Sequence, residues 1–242
     1  MTKRTLLGML TPSSNTVLEP MTSDMLSELP DVTAHFGRFS VTEISLTDKA
    51  LEQFDNQPIF DASKLLADAR VHAISWNGTS SGWLGFDADR KLCEEITAKT
   101  GIPTSTSVLA LNEIFEQTGV RQFGLVTPYL DEIQEKIIEN YASEGFECVS
   151  ERHLRDRGNF SFSEYSEETI ANMVREVAKD SPEAITIFCT NLRGARIANA
   201  LEQETGIPIY DTISTSVWKA MKQAGADPKR INGWGRLFNE VD

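Results

Sequence analysis

The sequence predicts an α/β protein of two similar domains. Each is a parallel sheet flanked by helices, the two are related by an approximate two-fold, and the active site lies in the cleft between them. Three observations carry this. Short apolar runs alternate with amphipathic stretches, the pattern of βαβ units. The segment Ala73-Ile-Ser-Trp-Asn-Gly78-Thr79-Ser80 aligns without a gap on Ala184-Ile-Thr-Ile-Phe-Cys189-Thr190-Asn191, and each copy leads through a helix-like stretch to Thr-Gly-Ile-Pro and then Ser-Thr-Ser-Val. A third matched pair lies upstream of these, Gly8-Met-Leu-Thr11-Pro12 and Gly124-Leu-Val-Thr127-Pro128.

In chain order, β-type runs fall at residues 5–10, 33–39, 72–77, 122–127, 146–149, 184–188 and 208–211. Between them, residues 88–99 (Leu92, Ile96), 129–143 (Leu130, Ile133, Ile137, Tyr141) and 167–179 (Ile170, Met173, Val174, Val177) carry apolar residues at helical spacing. Gly101, Gly119, Gly145, Gly206 and Gly225 fall just past helix ends, where glycine terminates helices. No linker separates the halves, so they are expected to pack closely and exchange terminal elements. The boundaries expected are 1–106 plus 214–242 for the first domain and 107–213 for the second.

Composition narrows the function classes. The chain has 242 residues, 40% hydrophobic and 24% charged, an ordinary globular profile. Its formal charge of −13 opposes nucleic-acid binding. No apolar run is long enough to span a membrane and no signal-peptide core opens the chain, so the cytoplasm is the default location. Cys93, Cys148 and Cys189 have no metal-type spacing, and neither a disulfide framework nor a metal site is expected. Nucleotide-binding and serine-hydrolase glycine motifs are both missing. No organic cofactor is expected, and a homo-oligomer is left open.

In open parallel sheets ligands bind beyond the carboxyl ends of the strands, and the motifs sit there. The loop Thr11-Pro12-Ser13-Ser14-Asn15-Thr16 combines small donors with a helix start; it reads either as an anion cradle or as an N-cap. Gly78-Thr79-Ser80 ends a strand, and its hydroxyls and backbone N–H groups suit a carboxylate or a developing oxyanion; the alternative is a plain turn. Cys189 occupies the equivalent strand end, before a helix expected over residues 191–204. A helix start favours a thiolate, although a lone cysteine is often buried filler. Tyr129 pairs with Ser13 in the repeat and either donates into the cleft or caps the core. Where one half carries Cys189 the other carries Gly78, so proton transfer should be one-sided. Gly78→Cys is expected to restore a second acid/base.

At these residues the chain resembles the aspartate/glutamate racemase superfamily, and within it the arylmalonate decarboxylases and maleate cis-trans isomerases. The similarity runs nearly end to end, through Pro12-Ser13-Ser14-Asn15-Thr16, Gly78-Thr79-Ser80, Thr104-Ser-Thr-Ser-Val108, Gly119-Val-Arg continuing to Thr127 and Tyr129, Cys189, and Gly233-Trp234-Gly235-Arg236-Leu237-Phe238. The decarboxylase resemblance implies that Thr79, Ser80, Tyr129 and the backbone at Cys189 and Thr190 hold an enediolate that Cys189 protonates. The isomerase resemblance implies that Asn15 grips one substrate carboxylate and Asn159 the second. Those isomerases carry a nucleophilic cysteine where this chain has Gly78.

The leading expectation is a cofactor-independent decarboxylase of a malonate-like small acid. Its catalytic residues are Cys189, Thr79, Ser80 and Tyr129, and Ser14, Asn15, Gly78, Asn159 and Thr190 bind substrate. The alternatives are isomerisation or epimerisation of a dicarboxylate or amino-acid derivative, and a carboxylate-binding protein without catalysis.

Overall fold

In the computed structural model, which describes residues 4–41 and 56–242, each half of the chain forms a four-stranded parallel sheet. The first contains β1 (Thr5–Pro12), β2 (Val32–Phe39), β3 (Ala73–Trp76) and β4 (Thr104–Thr106), in the order β2-β1-β3-β4. The second contains β5 (Gln122–Thr127), β6 (Glu147–His153), β7 (Ala184–Ile187) and β8 (Ile209–Asp211), in the order β6-β5-β7-β8. The orders are the same, and so is the register of the central pairs β1–β3 and β5–β7. Gly8 pairs with Ile74 in one sheet, and Gly124 pairs with Ile185 in the other. The repeat in sequence is therefore a repeat in hydrogen bonding.

The helices are α1 (Leu18–Met25), α2 (Gln57–Asp68), α3 (Ser81–Leu84), α4 (Phe86–Thr100), α5 (Ser107–Thr118), α6 (Asp131–Ser143), α7 (Glu167–Ala178), α8 (Ala195–Thr205), α9 (Thr212–Gln223) and α10 (Leu237–Glu240). The central strands are buried on both faces, so they read as continuous apolar runs. The outer helices α6 and α7 bury one stripe each, Ile133, Ile137 and Tyr141 on α6 and Ile170, Val174 and Val177 on α7, whereas α9 is buried on nearly every side. The five glycines expected at helix ends all have left-handed φ, between 73° and 84°. Gly8 and Gly124 share a different role. A Cβ on either would stand 2.9 Å from Val71 or 2.3 Å from Val177, so both let a neighbouring segment close on the central strand.

Three boundaries differ from expectation. Strand β4 is new; its three residues Thr-Ser-Thr carry no apolar run to betray it, and Thr106 at once caps α5 by accepting from the Leu109 N–H. Strand β6 runs on to His153. The helix expected from residue 191 begins only at Ala195, because residues 188–194 form an irregular turn closed by a Leu192 N–H bond to the Cys189 carbonyl.

The sheets are joined by α5 and α9, which pack on each other. Helix α5 sends Phe115 against Phe123 of the second sheet, while α9 lies on β3 and β4 of the first. A buried polar link fastens α9 to β3: Ser216 Oγ meets Ser75 Oγ at 2.6 Å and also reaches Asn77 Oδ1. Among the described residues, no helix is long and apolar enough to cross a membrane, and no group of three or more His, Cys, Asp or Glu side chains could hold a metal ion.

Candidate active site

The turns that follow β3 and β7 meet at one cavity between the two halves. It is lined by Pro12, Val41, Trp76, Gly78, Thr79, Ser80, Trp83, Tyr129, Asn159, Cys189, Thr190 and Asn191. Gly78 and Cys189, equivalent in the repeat, therefore face the same space. The cavity is open to solvent and encloses about 350 Å³ of empty space, solvent at its mouth included. None of these lining residues is charged. An anion there would be held by neutral donors in a setting of low polarity, where each hydrogen bond counts for more than in water.

The donors come from both halves. Thr79 Oγ1 and Tyr129 Oη lie 2.5 Å apart, so one donates to the other and one proton is left for a ligand. Tyr129 is wedged edge-on between Trp83 and Phe162. Burial, with Cys189 adding to it, pushes the phenol's pKa well above its ordinary value, so the ring keeps its proton. Among the described residues, the Ser80 hydroxyl and the backbone N–H groups of Ser80 and Thr190 have no hydrogen-bond acceptor. Donors that face a cavity from a buried turn are placed to hold an anion.

Cys189 is buried, and its thiol is a thiol. Burial pushes its pKa up to about 12, against the opposing pull of the Asn191 N–H at 3.4 Å, the Tyr129 hydroxyl and the Leu192 N–H. The expectation that a helix start would favour the thiolate is thus overturned. The amides do reach the sulfur, but desolvation outweighs them, and α8 begins six residues further on. Cys93 and Cys148 lie outside the cavity, and burial raises the pKa of both thiols, that of Cys148 to about 12.

Gly78 is not left-handed, so its backbone does not call for glycine. The indole of Trp76 does. A Cβ at residue 78 would stand 2.0 Å from Cζ2, 2.4 Å from Cε2 and 2.6 Å from Cη2 of that ring. A cysteine at 78 would therefore require the Trp76 indole to move before it could act as a second acid/base.

In the first loop Pro12 lines the cavity, while Ser14 and Asn15 bond to neighbouring segments. Asn15 Oδ1 accepts from the Val17 and Leu18 N–H groups at the start of α1, and its Nδ2 donates to the carbonyl and Oγ1 of Thr190 at 3.0 and 3.1 Å. Ser14 Oγ donates to the Val41 carbonyl at 2.7 Å. Neither residue lines the cavity; the capping reading describes the bonds of Asn15, while Ser14 holds the Val41 carbonyl. Asn15 instead ties the first half to the turn that carries Cys189. Thr190 Oγ1 continues this link to the Asn77 carbonyl at 2.8 Å, leaving the Thr190 backbone as its contribution to the cavity. Asn159 does line the cavity, and its carbonyl is held by Asn191 Nδ2 at 2.5 Å.

Comparison with known proteins shows the family. The family model of the arylmalonate decarboxylases matches residues 7–238. The chain belongs to the arylmalonate decarboxylase family. Arylmalonate decarboxylase of Bordetella bronchiseptica is 26% identical over 97% of this chain and 96% of its own. Maleate isomerase of Geobacillus stearothermophilus is 21% identical over 92% of both chains. Among solved structures, a maleate isomerase variant from Pseudomonas putida S16 with maleate superposes with a TM-score of 0.89 at 22% identity, covering 98% of each chain. A liganded double variant of arylmalonate decarboxylase, with a glycine exchanged for cysteine and a cysteine for serine, gives 0.86 at 21% identity, covering 99% of this chain and 100% of its own. The protein is accordingly an enzyme of a family that spans a lyase and an isomerase.

Four residues of this family member's cavity escaped the sequence reading: Trp76, Trp83, Asn191 and Val41. Asn191 had a signal, since it aligns with Ser80 in the repeat. It donates to Asn159, accepts from the Thr16 N–H at 3.0 Å and offers its own N–H to Cys189. Trp76 and Trp83 look like core in sequence, and packing alone places their rings at the cavity.

Proposed function

We propose that the protein decarboxylates a small malonate-like acid and that Cys189 supplies the proton. The observation that carries this is a single sulfur in the cavity, held as a thiol, with its repeat counterpart a glycine covered by an indole. A general acid must arrive protonated, and a nucleophile must not.

The chemistry needs few parts. One carboxylate lies against Thr79, Ser80, Tyr129 and the Thr190 backbone. The bond from the α-carbon to the other carboxylate breaks, CO2 departs, and the electron pair passes into the remaining carboxylate as an enediolate. That charge is the barrier, and each aimed donor is worth about 3 kcal/mol. The Cys189 S–H then gives its proton to the α-carbon, and the thiolate recovers one from water. Asn159 contributes a polar wall near the departing group.

A second reading is cis-trans isomerisation of a maleate-type dicarboxylate. It draws on Asn159 and Asn191 beside Cys189, two amides suited to a second carboxylate, and on a maleate isomerase from Nocardia farcinica described with a succinylcysteine intermediate. The two readings separate in one assay. A panel of malonates with small α-substituents, 2-ethyl-2-methylmalonate among them, is followed for CO2, and maleate for fumarate. Cys189-dependent CO2 release supports the decarboxylase. Fumarate without CO2 moves the isomerase ahead, and binding without turnover leaves a carboxylate-binding protein.

A further inference from the structure

We infer that Trp76 is the specificity-determining residue for the face of protonation: its indole seals the Gly78 side of the cavity and makes glycine obligatory there. The inference deepens the decarboxylase reading and rests on it for its stereochemical arm only.

The argument begins with strand geometry. Residues two apart on an extended chain project to the same side, so the side chains at 76 and 78 compete for one region. In this half the first of the pair is the largest side chain available and the second has none. Trp76 is 3% exposed, with Phe39 at 4.9 Å between ring centroids on one side and the cavity on the other. Its far ring edge lies over the Gly78 Cα, as the 2.0 Å approach of a built Cβ shows.

The second half solves the same problem the other way. Its equivalent pair is Ile187 and Cys189. Ile187 leans toward the following turn, its Cδ1 and Cγ2 standing 2.7 Å from where a Cβ on Gly194 would be. That leaves the space over residue 189 to the cysteine. Large-then-glycine and branched-then-cysteine are thus alternative fillings of pseudo-equivalent volumes. The indole, rather than the mere lack of a thiol at 78, closes one face to any acid, base or water.

The test compares Gly78→Cys, Trp76→Ile and the double variant with the parent, using melting temperature and the enantiomeric composition of 2-methylbutyrate formed from 2-ethyl-2-methylmalonate. Gly78→Cys alone should lower the melting temperature by about 5 °C through overpacking, and the double variant should recover most of it. The parent should give one enantiomer. Trp76→Ile should erode that excess by admitting water to the second face, and the double variant should bring the product close to racemic. If Gly78→Cys melts like the parent and alone racemises the product, the indole is no seal and the inference falls. If the parent releases no CO2 from the malonate panel, the decarboxylase reading falls. The non-additive melting temperatures then still decide whether the indole and a side chain at 78 exclude each other.

Discussion

The hydroxyls of Thr79 and Tyr129 meet at 2.5 Å across the two halves of the molecule. One follows β3 of the first sheet and the other follows β5 of the second, so neither half alone presents the pair. Cys189 lines the same cavity, so the pair and the proton donor share one space.

Tyr129→Phe and Thr79→Val should each lower kcat by about 100-fold, the loss usual for one oxyanion donor. The double variant should lose far less than the product of the two, because the pair shares one free proton. A full double-mutant cycle in kcat checks this; strict additivity would mean the two hydroxyls act separately.

Cys189→Ala should cut turnover by roughly 100- to 10,000-fold while the protein keeps its fold and melting behaviour. Because burial holds the pKa at about 12, alkylation by iodoacetamide should be slow near neutrality. It should quicken about tenfold per pH unit from about pH 7 to about pH 10 without a plateau. A plateau near pH 7 would show a resting thiolate and would favour the nucleophilic, isomerase-type reading.

Asp211 caps α9 by accepting from the Ile213 N–H at 2.8 Å, yet its second oxygen is buried without a partner. Burial raises its pKa from 3.8 to about 7, and Asp89, bonded to Ser81 at 2.7 Å, is raised to about 6. A folded-state pKa above the unfolded value means that the native state binds the extra proton. Stability is therefore greatest below about pH 4 as far as these groups are concerned, and it declines as pH rises through 6 and 7. Asp211→Asn should flatten that decline by an amount on the order of 1–4 kcal/mol between about pH 5 and about pH 8. Asp211 also raises the Cys189 pKa, so the same variant should be alkylated faster. Melting curves against pH, with iodoacetamide rates alongside, measure both.

Asn15→Ala should destabilise the protein by about 1–3 kcal/mol, since it strips the N–H groups of Val17 and Leu18 and the Thr190 carbonyl of partners in a buried turn. Its effect on turnover should appear mainly in kcat, by shifting the turn that holds Cys189. An Asn15→Ala protein with parental stability and a raised KM alone would instead show direct substrate contact.

Much of the architecture was legible because it repeats. Two copies of the same strand-turn-helix order can bury their apolar faces only by forming the same sheet twice, and the paired registers Gly8–Ile74 and Gly124–Ile185 follow from that. Strand β4 was hidden because three hydroxyl residues leave no hydrophobic trace, and its place is set by pairing with β3. The start of α8 was misplaced because Asn191, where the helix was expected to begin, bonds instead to Asn159 and Thr16.

By itself the sequence determined that two turns, one with Gly78 and one with Cys189, end equivalent strands, since strand ends and helix periodicity are local properties of the chain. Tertiary structure alone decided what each residue does there. Hydrogen-bond partners from distant segments took Asn15 and Ser14 out of the cavity and into its support. Desolvation by the surrounding core kept Cys189 a thiol despite nearby amides. The indole of Trp76 filled the volume above Gly78. Each of these outcomes depends on which atoms share a space, and residues far apart in the chain acquire that relation only on folding.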